Sequence, residues 1–182
     1  MVGLLGAEAG RTLLTQGEVR IATSETACSS AILGSCIATL IWDPEARIGG
    51  INHLLTPAST ARDPAGLGHD VNLMELLING VLSAGGNRAR LEAKMFGGAR
   101  MIDGLGSTGA TNTAFVETFL DNENIPCTAR STGGTEARRI RAWPAAGRVQ
   151  QLRVRDIGKD GGLFSPRALR SRALRLSGVE LL

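Results

Sequence analysis

The alternation of apolar and polar positions divides the chain into short extended segments gathered around two helical stretches. Residues 18–23 alternate and predict a first strand, with Cys28 on the flanking loop or the next strand. Residues 37–42 and 48–55 are apolar and rich in Ile and Leu. The Asp43-Pro44-Glu45-Ala46-Arg47 run between them carries turn chemistry, so the two predict a β-hairpin. Val71, Met74, Leu77, Ile78, Val81 and Leu82 recur at helical spacing behind Asp70, an expected N-cap, and Gly85-Gly86 closes a helix over 71–84. A strand over 91–96 follows. Asn112 is the expected cap of a second helix over 113–123, with Phe115, Val116, Phe119 and Leu120 apolar. Segments 127–130, 138–143 and 149–155 alternate again, separated by Thr132-Gly133-Gly134 and Ala145-Ala146-Gly147. Residues 1–17 read as an irregular lead. Ser165-Pro166 opens an expected C-terminal helix to residue 176, with arginines on one side and leucines on the other. The pattern predicts an α/β (α+β) layered sandwich with two main helices, a single domain over 1–182 with a basic C-terminal extension from residue 163.

Composition narrows this picture. With 182 residues, 43% hydrophobic and 20% charged, the chain can bury a real core without staples. The three cysteines, Cys28, Cys36 and Cys127, show no CxxC spacing and no histidine cluster, which argues against a disulfide framework or a metal site and for a reducing compartment. No basic n-region opens the chain and no apolar run is long enough to span a bilayer, so a cytoplasmic protein, not membrane-embedded, is expected. The net charge is +3 and the basic excess is nearly all arginine. Without tyrosines, and without alternation of basic and aromatic residues, no nucleic-acid partner is indicated. Gly104-Leu105-Gly106-Ser107-Thr108-Gly109 matches a dinucleotide fingerprint by letter. The expected helix starts only after Asn112 and the next strand ends in Arg130, so no nucleotide cofactor is expected.

The candidate chemistry lies in the hairpin. Cys36 follows a Gly34-Ser35 turn, and His53 follows Gly49-Gly50-Ile51-Asn52 on the second strand. Depending on where the turn is centred, His53 faces either Cys36 or Ala38; in both registers the two side chains are opposite or diagonal, roughly 5 to 8 Å apart at Cβ. A thiol is mostly protonated at neutral pH, and an imidazole beside it both promotes ionisation and shuttles the proton, so this pair suits nucleophilic catalysis. The turn before the cysteine can aim backbone N–H groups at a developing oxyanion. The polar loop over 56–69 can line such a site, and it carries His69, the other histidine.

Several motifs in order give the chain a resemblance. Leu33-Gly34-Ser35-Cys36, Asp43-Pro44, Gly49-Gly50-Ile51-Asn52-His53-Leu54-Leu55-Thr56-Pro57, Ala93-Lys94-Met95-Phe96-Gly97-Gly98-Ala99-Arg100-Met101, Gly109-Ala110-Thr111-Asn112, and Thr132-Gly133-Gly134 with Arg138 and Arg139 together resemble the chemoreceptor glutamine deamidase family, CheD. The resemblance implies a sandwich fold similar to that of the cytotoxic necrotising factor deamidases. It implies Cys36 as nucleophile and His53 as its partner. Ser30 stands where the family usually has a threonine as third member of the triad; the hydroxyl is kept, the β-branch is lost, and Ser29 is an adjacent alternative. The implied activity is hydrolysis of receptor glutamine side chains through a thioester, with Ser30 holding the tautomer of His53 and no cofactor required. The implied partners are methyl-accepting chemotaxis receptors and, for some members, the chemotaxis phosphatase CheC.

Overall fold

The computed structural model describes residues 2–5, 12–55, 64–100, 108–154 and 179–182. Within them lie strands β1 (Val2–Leu5), β2 (Thr12–Leu13), β3 (Val19–Ala22), β4 (Ser29–Leu33), β5 (Ile37–Asp43), β6 (Ile48–Leu54), β7 (Glu92–Gly97), β8 (Cys127–Thr132), β9 (Ala137–Trp143), β10 (Arg148–Val154) and β11 (Val179–Leu181). The helices are α1 (Pro64–Ser83) and α2 (Thr108–Asn122).

The predicted hairpin is β5–β6, and it forms the centre of a six-stranded sheet in the order β1-β3-β6-β5-β7-β8. A second sheet runs β11-β10-β9-β4-β2. Side chains alternate across each strand, so the central sheet has two buried faces. On one, Ile37, Ile41 and Leu54 pack with Leu73, Met74, Leu77 and Val81 of α1 and with Val116 and Leu120 of α2. On the other, Ala38, Leu40, Ile51 and Phe96 pack with Ala31, Leu33, Ile140, Ala142 and Val149 of the second sheet. The molecule is therefore a three-layer α+β sandwich: helices, central sheet, second sheet. No helix among the described residues is long and apolar enough to cross a membrane.

Both helices begin earlier than their sequence signals. α1 starts at Pro64, whose missing N–H costs nothing in a first turn. Asp70 is therefore buried within the helix rather than capping it, and His69 is helical and exposed rather than on a loop. Gly66 and Gly68 hide this turn from a propensity reading. α2 starts at Thr108, so Asn112 lies inside it rather than at its cap. Its first turn is fixed by contact with the end of β7, since a Cβ on Gly109 would strike the carbonyl group of Gly98. The expected C-terminal helix and most of the basic extension fall within 155–178, outside the described residues, as do residues 56–63 of the polar loop and residues 104–107 of the glycine-rich motif.

Candidate active site

Of the two registers open to the hairpin, the protein adopts the one in which Ala38 faces His53 and Ile37 faces Leu54. Cys36 directly precedes β5 and joins the same apolar cluster as Ala38 and Leu40. It is thus a diagonal neighbour of His53 on the face turned toward the second sheet. Cys36 is 7% exposed and His53 4%. α1 packs on the opposite face of the central sheet, so His69 is not brought to this pair.

The imidazole is oriented by the segment before β3. Its Nδ1 lies 3.2 Å from the carbonyl oxygen of Leu14. A carbonyl can only accept, so Nδ1 carries the hydrogen and Nε2 the lone pair. Nε2 is buried and has no hydrogen-bond partner among the described residues. The backbone is clamped as well: His53 N–H donates to the Glu18 carbonyl at 3.1 Å, and Gly17 N–H donates to the His53 carbonyl at 2.8 Å. Burial pushes the imidazole below its ordinary value, while the Leu14 hydrogen bond and the charge of Glu18 pull it partly back. Burial likewise pushes the Cys36 thiol up. The Gln16 side-chain amide, donating to Sγ at 3.4 Å, and the backbone amides of Cys36 and Gly34 act against this. Thiol and imidazole therefore rest in their neutral forms.

The turn carrying the thiol is held from three sides. Gly98 N–H donates to the Cys36 carbonyl and Ala99 N–H to the Gly34 carbonyl, each at 2.8 Å. Asn112 Nδ2 donates to the Ser35 carbonyl at 3.0 Å from within α2. Gly97, at φ 115°, is required here, because a Cβ would collide with the Cys36 carbonyl oxygen. Behind it, Gly133 N–H donates to the Gly97 carbonyl at 3.0 Å, and the buried Arg138 donates to the Gly133 carbonyl at 2.8 Å and to Ser131 Oγ at 3.2 Å. The glycine pair, Asn112, the Thr132-Gly133-Gly134 loop and Arg138, dispersed in sequence, thus brace one turn.

Ser30 is placed differently from its expected role. In β4, Ser29, Ala31 and Leu33 are buried while Ser30 and Ile32 are less so, which puts Ser30 on the outer face, opposite the exposed Arg141. Its hydroxyl is not the group at Nδ1; the Leu14 carbonyl is. Ser30 reaches the imidazole through its backbone, its carbonyl accepting from Leu14 N–H at 2.8 Å. The Ser29 hydroxyl faces inward, buried and without a hydrogen-bond partner among the described residues. Leu14 and Gln16 lie in the segment whose sequence predicts only an irregular lead. A main-chain carbonyl leaves no side-chain signature, and a lone glutamine beside Gly17 carries no motif.

These observations define a class: a three-layer sandwich whose central hairpin presents a buried thiol and a buried imidazole on one sheet face. A family model described as CheD chemotactic sensory transduction matches residues 59–153. A protein of Caulobacter vibrioides named as a probable chemoreceptor glutamine deamidase CheD is 48% identical over 143 residues, covering 78% of this chain and 76% of that one. A protein of the same name from Cereibacter sphaeroides is 48% identical over 141 residues, covering 78% of this chain and 71% of that one. The chain belongs to the CheD family. The segment matched by the family model starts after His53 and holds the bracing residues Gly97, Gly98, Asn112, Gly133 and Arg138. Among solved structures, a hypothetical protein YfiH of Bacillus licheniformis is similar at a TM-score of 0.42 and 12% identity, covering 71% of this chain and 62% of that one, a likeness too slight to bear on function.

Proposed function

We propose that this protein deamidates glutamine side chains on methyl-accepting chemotaxis receptors, with Cys36 as nucleophile and His53 as acid and base. The observation that carries the reading is the held tautomer: Leu14 fixes the hydrogen on Nδ1, leaving the Nε2 lone pair free on the face that Cys36 shares. The substrate class is supported by the names of the curated relatives.

Since both groups rest neutral, proton transfer accompanies attack. His53 Nε2 takes the Sγ proton, sulfur bonds to the carboxamide carbon, and the carbonyl π electrons move to oxygen. The tetrahedral species collapses by breaking the C–N bond, and Nε2 returns its proton to the departing ammonia. Water then attacks the thioester with Nε2 as base, releasing glutamate and the thiol. Ser30 completes the triad as a strap: its carbonyl anchors Leu14, and Leu14 orients His53. The work takes place in the cytoplasm, where the helical signalling region of such receptors lies.

Intact-mass spectrometry of a receptor cytoplasmic fragment incubated with the protein tests this. A gain of about 1 Da per modified glutamine is expected, mapped to glutamate and absent with Cys36→Ala, since the Cys36 sulfur is the required nucleophile. A bound but unmodified fragment would overturn the reading.

A further inference from the structure

Gln16 is an exposed residue whose side chain reaches a nucleophile that is itself only 7% exposed. Its Nε2 lies 3.4 Å from Cys36 Sγ, and the backbone amides of Cys36 and Gly34 face the same sulfur. The sulfur accepts from Gln16 Nε2, so the carboxamide presents its NH₂ group to the reacting atom. When sulfur bonds to the substrate carbon, negative charge appears on an oxygen one bond beyond that carbon, within reach of donors already gathered around the sulfur. Backbone support keeps Gln16 in place: Gly17 N–H is bonded to the His53 carbonyl, and Leu14 N–H to the Ser30 carbonyl.

We infer that Gln16 is a catalytic residue, its side-chain NH₂ forming the oxyanion hole together with the Cys36 backbone N–H. The inference rests on the deamidase reading above. One segment then serves both halves of the reaction, Leu14 orienting the base and Gln16 stabilising the oxyanion. Gln16 is exposed, so it can be replaced without opening the core.

The test compares wild type, Gln16→Ala and Gln16→Glu on a receptor cytoplasmic fragment, alongside the rate at which iodoacetamide alkylates Cys36. Losing an oxyanion donor lowers kcat about 10² to 10³-fold. KM should stay within a few-fold, and Gln16→Glu should lose at least as much as Gln16→Ala, because a carboxylate repels the oxyanion. Alkylation attacks a saturated carbon and forms no oxyanion, so it should slow only as far as losing the Gln16 hydrogen bond leaves less thiolate, well short of the fall in kcat. A kcat within about threefold of wild type for Gln16→Ala would overturn the assignment, being far below the effect of an oxyanion donor. A parallel fall in alkylation would also overturn it, making Gln16 a thiol-positioning residue. So would a mass gain on Gln16 in the protein alone, which would mark it as a substrate. If wild type leaves the fragment unmodified, the deamidase reading itself falls; if wild type is active and Gln16→Ala equals it, this inference alone falls.

Discussion

The two ends of the β5–β6 hairpin bury ionisable groups in opposite ways. At the turn, the fully buried Asp43 is saturated with donors. Oδ1 accepts from the amides of Glu45 and Ala46 and from Arg90 Nε, each at 3.0 Å. Oδ2 accepts from the Asn87 amide at 2.8 Å and from Arg90 Nη2 at 2.6 Å. The Arg90 guanidinium and these amides hold the carboxyl far below the usual carboxylate range. At the open end, His53 has one ring nitrogen bonded and the other without a partner among the described residues, and burial drives both His53 and Cys36 toward neutrality. An unmade hydrogen bond in the interior costs stability. The strands accept that cost at His53 Nε2, where it leaves a lone pair for the proposed chemistry, and also at Thr39 Oγ1 and at Trp42 Nε1 beside the turn, each buried without a partner among the described residues. The turn end maintains the fold, and the open end holds the proposed chemistry.

The contrast breaks most sharply by exchanging losses between the ends. His53→Gln keeps a polar side chain of similar bulk but removes the acid-base group, and turnover on receptor fragment should fall about 10² to 10⁴-fold. Its unfolding midpoint in urea should move less than that of Asp43→Ala. Asp43→Ala strands the amides of Glu45, Ala46 and Asn87 together with Arg90, and should lose about 3 kcal/mol by urea unfolding. Its kcat per folded molecule should be unchanged. A folded Asp43→Ala protein without activity would show that the two ends are coupled through the strands.

Acidity sharpens the contrast more gently. His53 in the folded protein protonates below its ordinary value of 6.5. As pH falls through 6.5 the unfolded chain binds a proton that the folded chain does not, so this group's stability is present above 6.5 and is lost toward lower pH. The acid limb of kcat/KM should accordingly lie below 6.5. Cys36 behaves in reverse. Its folded value lies above 9.0, so stability falls as pH rises past 9.0 while the unfolded chain gives up a proton that the folded one keeps. Asp43 stabilises above its ordinary 3.8 and loses that contribution in more acidic solution. Thermal unfolding across pH checks all three. His53→Gln should flatten the slope just below 6.5, Cys36→Ala the slope above 9.0, and Asp43→Ala the slope below 3.8.

Legibility in the sequence followed side-chain chemistry. The hairpin was readable because its strands are apolar and Asp43-Pro44 marks its turn, and the closing strands because Gly133-Gly134 and Gly147 punctuate them. The pair at Cys36 and His53 was readable as residue types, though two registers remained open until β3 and β7 flanked the hairpin. What escaped was carried by tertiary contact. β4 pairs at one edge with the two-residue β2, too short to show a period. The first turn of α2, rich in small residues, reads as a loop until Gly109 is seen packed on Gly98. Leu14 contributes a backbone carbonyl, which any residue could supply, so its place beside His53 is a property of the path of the chain rather than of its letters.

Ser30 offers the smallest effect and the finest test of that last point. As the third member of the triad in side-chain terms, its hydroxyl would set the tautomer, and Ser30→Ala would approach the loss of His53→Gln. With the Leu14 carbonyl at Nδ1 and the Ser30 hydroxyl on the outer face, Ser30→Ala keeps every atom of the strap, because the carbonyl that anchors Leu14 is main chain. Its kcat/KM should stay within about threefold of wild type, a change of about 0.7 kcal/mol at most. The acid limb of its pH profile should not move. A larger fall with a displaced limb, in a protein that still folds, would mean that the hydroxyl swings inward to the imidazole during turnover and that the main-chain strap serves only the resting enzyme.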